Sequence, residues 1–385
     1  MPRHPDISSA AAAMPSSIFA RLVERLAGHR GEVFPFHLGD THLAPPEGAR
    51  LVDERESYPY HPPAGHPELI DALAEKLARE NGLAATPANV QITCGATNAL
   101  AAAMRTVADP GDEIILLSPY WPLIRGQVIA VGARPVEVPF SSRLYDDPDL
   151  DVRGLVREHV TPRTAAIYVT TPNNPDGKVV PAAALRAIAD VAHQANLWIL
   201  SDEVYEHYLY QGTHLSIGTL HPERTLTAFS FSKSYAQAGL RVGYLHGPAP
   251  AIAAVKKLVN HAIYSVPRAT QRAALGALAA GAPYLDATRA EMRAARDEAH
   301  ATLARLGIAP HRPEGGSYVF CDLSRYCTDN ALEVLEKLAA AGILLAPGDA
   351  FGRDYPRWAR FCYTAVSRAR LSAGLARMED VLTSC

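Results

Sequence analysis

The stretch 225–243 reads TLTAFSFSKSYAQAGLRVG. It begins as a β-branched and aromatic run and meets a Ser-rich turn carrying one lysine, Lys233, with Arg241 and then Gly243 downstream. A lysine at the end of a buried strand, among small hydroxyl residues, is poorly hydrated. Desolvation lowers its pKa and makes the amine a nucleophile toward carbonyls. Arg241 is spaced to hold an anion beside it. Taken alone, the same stretch also fits a surface lysine in a loop, the commoner place for that residue.

Other residues offer complementary chemistry. Gly95-Ala96-Thr97 follows a short apolar run and opens an Ala-rich helix. Free backbone N–H groups at such a turn bind phosphate, and Ser230 and Arg241 would add a hydroxyl and a permanent cation. An ordinary turn capped by Thr97 fits the same residues. Trp121 lies between prolines and could stack on a flat ligand or simply pack as a core aromatic. Asn174 sits in a Pro-Asn-Asn-Pro turn, which forms a loop whatever its function. Asp202 ends the apolar run LWILS. A carboxylate there needs a partner, because an unpaired buried charge is costly. A structural salt bridge would serve as well as a ligand. Tyr205 shares its face if the segment turns helically.

The elements that must position these residues alternate in type. Short apolar runs at 90–93, 113–117, 165–169, 197–200 and 226–231 predict strands, with helices between them at 67–81, 98–107 and 182–194. Further extended runs lie at 33–39, 135–138 and 241–245, and the helical spacing of 18–27 predicts another helix. The Pro-, His- and Gly-rich segment 40–63 reads as a long functional connection, and 143–151 as an acidic loop. Strands joined by helical crossovers predict an α/β fold with a mostly parallel sheet covered on both faces. Ligands bind at the carboxyl ends of such strands, where the Gly95, Trp121, Asn174, Asp202 and Lys233 segments all fall. Beyond Pro283 the alternation is less regular. A helix at 285–306, strands at 317–322, 343–346 and 358–364, and helices at 332–341 and 368–382 predict a smaller α+β domain.

Composition narrows the partners. The 385 residues are 48% hydrophobic and 20% charged, with a net charge of -3, so neither nucleic acid nor an anionic membrane is an electrostatic partner. No apolar run approaches the roughly 20 residues that span a bilayer. The N-terminus reads as frayed chain, not as a signal peptide. Five cysteines (Cys94, Cys321, Cys327, Cys362 and Cys385) form no CxxC. They indicate neither a disulfide framework nor a zinc site, and a reduced, cytoplasmic setting is expected.

One ligand uses a phosphate cradle, a stacking ring, an anion for a ring nitrogen, donors for a phenolic oxygen and a lysine for an aldehyde. That ligand is pyridoxal 5′-phosphate. A carboxylate on its ring nitrogen keeps the ring an electron acceptor, and the lysine forms the Schiff base and later moves the proton. At SFSKSYAQAGLRVGY, with YHPPAGHPEL, PEGGSYVF, LLAPGDAFG and RFCY, the chain resembles the class I/II aminotransferases of the aspartate aminotransferase superfamily, fold type I, from about Leu38 to the C-terminus. The resemblance implies that Lys233 is the Schiff-base lysine and that Asp202 pairs the ring nitrogen. Tyr205 and Asn174 bind the ring hydroxyl, and Trp121 stacks on the ring. Gly95, Ala96, Thr97, Ser230 and Arg241 hold the phosphate, and Arg360 clamps the substrate α-carboxylate. Tyr60 reaches the phosphate of a neighbouring subunit, which implies a homodimer with shared active sites. A three-layer αβα large domain over 50–283 binds the cofactor, and residues 1–49 and 284–385 build the small domain.

The chain departs from the family pattern at Asp176, where threonine is usual, and at LGDTHLAPPE, which places Asp40 near the substrate side chain. Asp40 reads either as a contact to a basic or polar substrate or as a solvated loop residue. The expected reaction moves an amino group between an α-amino acid and a 2-oxo acid. The same residues also serve a lyase or a cyclising synthase. A non-catalytic regulatory module would be expected to lack Lys233 or Arg241, and both are present.

Overall fold

The central strands are buried along nearly their whole length and apolar in their middle positions, because both faces of their sheet are covered. In the computed structural model, which describes residues 7–15, 22, 24, 26 and 29–384, these strands are β1 (Val90–Thr93), β2 (Glu113–Ser118), β3 (Arg134–Pro139), β4 (Thr164–Thr170), β5 (Trp198–Asp202), β6 (Thr225–Ser230) and β7 (Gly243–His246). They form one seven-stranded sheet in the order β1-β7-β6-β5-β4-β2-β3. Strands β2 to β6 run parallel, and β7 pairs antiparallel with both β6 and β1. Side chains alternate across the pleat. Ile114, Leu116, Tyr168 and Leu200 pack with helices Gly95–Val107 and Ala249–Ile263 on one face, while Ile115, Leu117, Ile167 and Ile199 meet helix Ala182–Gln194 on the other. The result is the expected αβα sandwich.

A second sheet is antiparallel and three-stranded. Strands β8 (Tyr318–Asp322), β9 (Ala346–Pro347) and β10 (Trp358–Cys362) lie in the order β8-β10-β9. Its core includes Phe34 and Phe36 from the N-terminal segment, and Phe34 bridges Ile343 in parallel. That bridge replaces most of the strand expected at 343–346. Helices Leu332–Ala340 and Arg368–Thr383 cover the core.

The connection between the two sheets differs from expectation. Two helical stretches meet at a kink at Gly281 (φ 60°, ψ -157°) within Arg268–Arg305: the second, with Pro283 near its start, agrees with the expected 285–306, while the first was not expected. The stretch before the break is rich in Ala and Gly and lacks a strong apolar stripe, so periodicity gave no signal there. The loop expected at 143–151 contains a helical turn, Arg143–Asp146. The N-terminal stretch read as frayed contains a short helix, Ser9–Ala13, capped by Ser8. The helix expected at 18–27 lies largely outside the described residues, of which Leu22, Glu24 and Leu26 are helical.

A buried ion pair ties helix Pro67–Asn81 to the segment after β5. Lys76 Nζ donates to Glu206 Oε1 at 2.5 Å and to Asn81 Oδ1 at 2.9 Å, and Asn81 Nδ2 donates to Glu206 Oε2 at 2.7 Å. Removing one partner leaves the other charge stranded. Lys76→Met is expected to cost about 3–5 kcal/mol in urea unfolding, and Lys76→Met with Glu206→Leu to recover most of that loss.

Candidate active site

The carboxyl ends of the strands converge on one cleft. Strand β1 passes through Cys94 directly into helix Gly95–Val107. Gly95 has φ +72°, and a Cβ there would lie 2.4 Å from Arg241 Nη2, so only glycine lets the guanidinium reach the helix start. Cys94 at the N-cap makes no side-chain bond to the helix amides, and its own N–H donates to the Asn98 carboxamide oxygen at 3.1 Å. The first N–H groups, at the positive end of the helix, remain for a ligand at Ala96 and Thr97, which line the cleft. Arg241 is itself left-handed (φ 54°) and is steadied by Nη1 donating to Ala238 O at 2.8 Å. Gly243 allows β7 to pass against this turn, where a Cβ would meet the Gly95 carbonyl carbon at 2.7 Å. Ser230, at the end of β6, completes the rim and accepts from Ser232 N–H at 3.0 Å. Uncapped amides, a guanidinium and hydroxyls form an anion cradle.

Asp202 ends β5 at the floor of the cleft, 5% exposed. Tyr168 Oη donates to its Oδ2 at 2.9 Å, and Val204 N–H reaches Oδ1 at 3.4 Å. Among the described residues no ion pair holds it within 4 Å. Burial pushes its pKa up to about 6, against the opposing bond from Tyr168. Lys233 is half-buried, its Nζ donates to the Gly39 carbonyl, and it sits 5.8 Å from the Tyr205 ring centroid. Tyr208 Oη fixes the Lys233 carbonyl at 2.9 Å. The Tyr205 and Tyr318 hydroxyls are 2.6 Å apart. Burial and then Tyr318 push Tyr205 well above the usual phenol range, so it remains a hydrogen donor.

At the other wall, Arg360 from β10 is buried, with its guanidinium 4.2 Å from the Tyr318 ring and 5.0 Å from Phe351. Nη1 donates to Asn174 Oδ1 at 2.9 Å and Nη2 to the His37 carbonyl at 2.7 Å, while Nε has no hydrogen-bond partner. Burial and then Arg360 push the His37 pKa down to about 4, which keeps a second cation from this wall. Trp121, half-buried after β2, closes the side.

The cleft is about 220 Å³. It brings together Lys233, Asp202, Tyr205, Asn174, Trp121 and Arg360 at one end and Ala96, Thr97, Ser230 and Arg241 at the other. It does not gather Tyr60 or Asp40. Tyr60 is 86% exposed, with its ring 4.9 Å from that of Tyr264. Asp40 is exposed, and its carboxylate accepts from Thr41 N–H at 2.8 Å, although its neighbour Gly39 lines the cleft. Asp176 is buried and accepts from Ser141 Oγ at 2.6 Å and Asn173 Nδ2 at 2.8 Å, which fixes the loop carrying Asn174. Sequence reasoning passed over Tyr168, Tyr318 and Gly39. Tyr168 looks like any apolar strand residue, and its contact with Asp202 depends on strand neighbours 34 residues apart.

Asp202 gives the ligand-free protein a distinctive pH response. Its pKa is raised above the unfolded value of 3.8, so its stabilising contribution is complete below that pH and is lost as pH rises through about 6. The shift corresponds to about 3 kcal/mol. Urea unfolding of ligand-free protein between about pH 4 and pH 7 is expected to show this loss. Asp202→Asn is expected to remove it, because the amide cannot ionise.

The comparisons with known proteins agree with this geometry. The pattern of the family "Aminotransferase class I and II" matches residues 40–378. The chain is 41% identical over 295 residues to a probable aspartate/prephenate aminotransferase of Thermus aquaticus, covering 76% of each chain. It is 38% identical over 342 residues to the aspartate/prephenate aminotransferase of Thermus thermophilus, covering 87% of this chain and 86% of that one. The solved aspartate aminotransferase of Thermus thermophilus with maleate superposes with a TM-score of 0.89 at 34% identity, over 98% of this chain and 100% of that one. Family pattern, relatives and fold coincide, and the chain belongs to the class I and II aminotransferases.

Proposed function

We propose that this aminotransferase binds pyridoxal 5′-phosphate in the cleft and moves an amino group between an α-amino acid and a 2-oxo acid. The observation that carries the reading is Asp202, a buried carboxylate with no ion pair among the described residues, in the same cleft as the Lys233 amine. A protonated ring nitrogen supplies the missing cation. The anion cradle at the other end, formed by Gly95, Ala96, Thr97, Ser230 and Arg241, suits the phosphate. When bound, the cofactor supplies an electron sink for a carbanion at the substrate Cα.

The chain's own residues do the rest. Asp202 holds the ring-nitrogen proton, which its low-polarity surroundings make a strong interaction. Tyr205 and Asn174 hydrogen-bond the ring hydroxyl, and Trp121 stacks against the ring. Lys233 Nζ would hold the cofactor by its aldehyde carbon, and its free amine would be the base that accepts the proton from the substrate Cα. Arg360 receives the α-carboxylate through two parallel bonds, with Asn174 and the His37 carbonyl holding its plane.

A second copy of the chain is part of the reading. Tyr60, Tyr264, Leu51 and Val52 are all exposed. Covering them with a like surface would bring Tyr60 to the partner's phosphate cradle. Residues 50–283 act as the cofactor domain, with 1–49 and 284–385 as the smaller one. Among the described residues no helix is long and apolar enough to cross a membrane, and a cytoplasmic location is part of the proposal.

A cofactor-loaded preparation tests this. An amino acid alone is expected to bleach the visible cofactor band in one turnover, and a 2-oxo acid to restore it. Release of ammonia without consumption of a 2-oxo acid would point to a lyase instead. Lys233→Ala is expected to retain the cofactor but lose turnover. Arg360→Ala is expected to lower kcat/KM by about a hundredfold or more, the scale of losing a buried carboxylate contact.

A further inference from the structure

Away from the cleft, the C-terminal end of helix Ala182–Gln194 meets the turn Pro222–Arg224 that leads into β6. Three side chains converge there: His193, His221 and Glu223, whose ligand atoms all lie within 4.8 Å of one another. His221 Nδ1 is 2.9 Å from Glu223 Oε1, and His193 Nδ1 is 3.5 Å from the same oxygen. His221 is buried, whereas His193 and Glu223 are exposed. His221 Nε2 lies 3.3 Å from the Leu197 carbonyl. A carbonyl only accepts, so Nε2 carries the hydrogen in that bond. With that hydrogen on Nε2, the Nδ1 lone pair faces the Glu223 carboxylate, an arrangement that a divalent cation would bridge.

We infer that His193, His221 and Glu223 form a binding site for a borderline divalent transition metal such as zinc, with water completing the coordination. Two imidazoles and a carboxylate are a recognised ligand set for that ion, and a tetrahedral site would place ligand atoms about 3.4 Å apart, against 2.9 Å and 3.5 Å from Glu223 Oε1 to the two imidazole nitrogens. The Leu197 carbonyl is the outer-shell acceptor that such a site uses to fix the ligand tautomer. His193 lies in the last turn of its helix, where the backbone dipole favours a cation. The neighbouring cation Arg224 is directed over the Trp198 ring, 5.7 Å from its centroid. The bound ion would clamp helix Ala182–Gln194 to the start of the strand that leads to Lys233.

The cofactor-loaded enzyme, stripped with a chelator, can be titrated with Co²⁺ and read by its visible ligand-field bands, with Zn²⁺ as competitor. One ion per chain is expected, displaced by Zn²⁺, with His193→Ala and Glu223→Gln each weakening binding at least tenfold. Both substitutions are on the surface, so folding is retained. Zn²⁺ is expected to raise the Tm of the unmodified chain but not that of the double variant. Absence of saturable binding, or variants that bind the ion as tightly as the unmodified chain, overturns the inference.

Discussion

The site depends on keeping one carboxylate out of water. Asp202 sits at the end of the middle strand of a mostly parallel sheet, beneath apolar layers on both faces, with Tyr168 as its side-chain donor and no ion pair among the described residues. A carboxylate in that position is costly until a cation arrives. The proposed cofactor would satisfy that charge. Lys233, the anion cradle and Arg360 surround that charge, and each is held by backbone that only the folded sheet supplies. Gly95 must lack a side chain for Arg241 to reach the helix start, and β7 must pass close enough to require Gly243.

Much of this was legible in the sequence. The short, mostly apolar runs at 90–93, 113–117, 165–169 and 197–200 alternate with helices, and that alternation pointed to a mostly parallel sheet with the chemistry at its strand ends. Lys233, Asp202, Asn174 and Arg241 each follow such a run or a turn of recognisable chemistry. Tyr168, Tyr318 and Gly39 escaped notice because their roles come from tertiary neighbours. Tyr318 serves Tyr205 by a hydroxyl contact across the two sheets, and Gly39 acts through its carbonyl, which no side-chain pattern reveals. The helical stretch from Arg268 to the kink escaped for a different reason. A stretch of Ala and Gly has little amphipathic period, and tertiary packing determines its conformation. The cysteine pattern indicated no zinc site, yet His193 is separated from His221 and Glu223 by a whole strand, β5, so no local motif could have shown their proximity.

Arg360 and Asn174 show how the smaller unit contributes. The arginine comes from β10 and the asparagine from the loop after β4, and their contact at 2.9 Å joins the two sheets across the cleft. Aromatic faces of Tyr318 and Phe351 hold the guanidinium plane, and the low pKa of His37 leaves that wall with a single fixed cation. In the proposed reading this wall receives one carboxylate and leaves the remainder of the substrate to the surfaces around Trp121 and Gly39. Asp176 supports it from behind by bonding Ser141 and Asn173.

The central claim is that the cleft holds pyridoxal phosphate on Lys233. Borohydride reduction of the cofactor-loaded protein, followed by proteolysis and peptide mapping by mass spectrometry, tests it most directly. The expected result is a pyridoxyl group on the peptide containing Lys233 alone, with no label in Lys233→Ala. A label on another lysine, or no stable label in the unmodified chain, would contradict it.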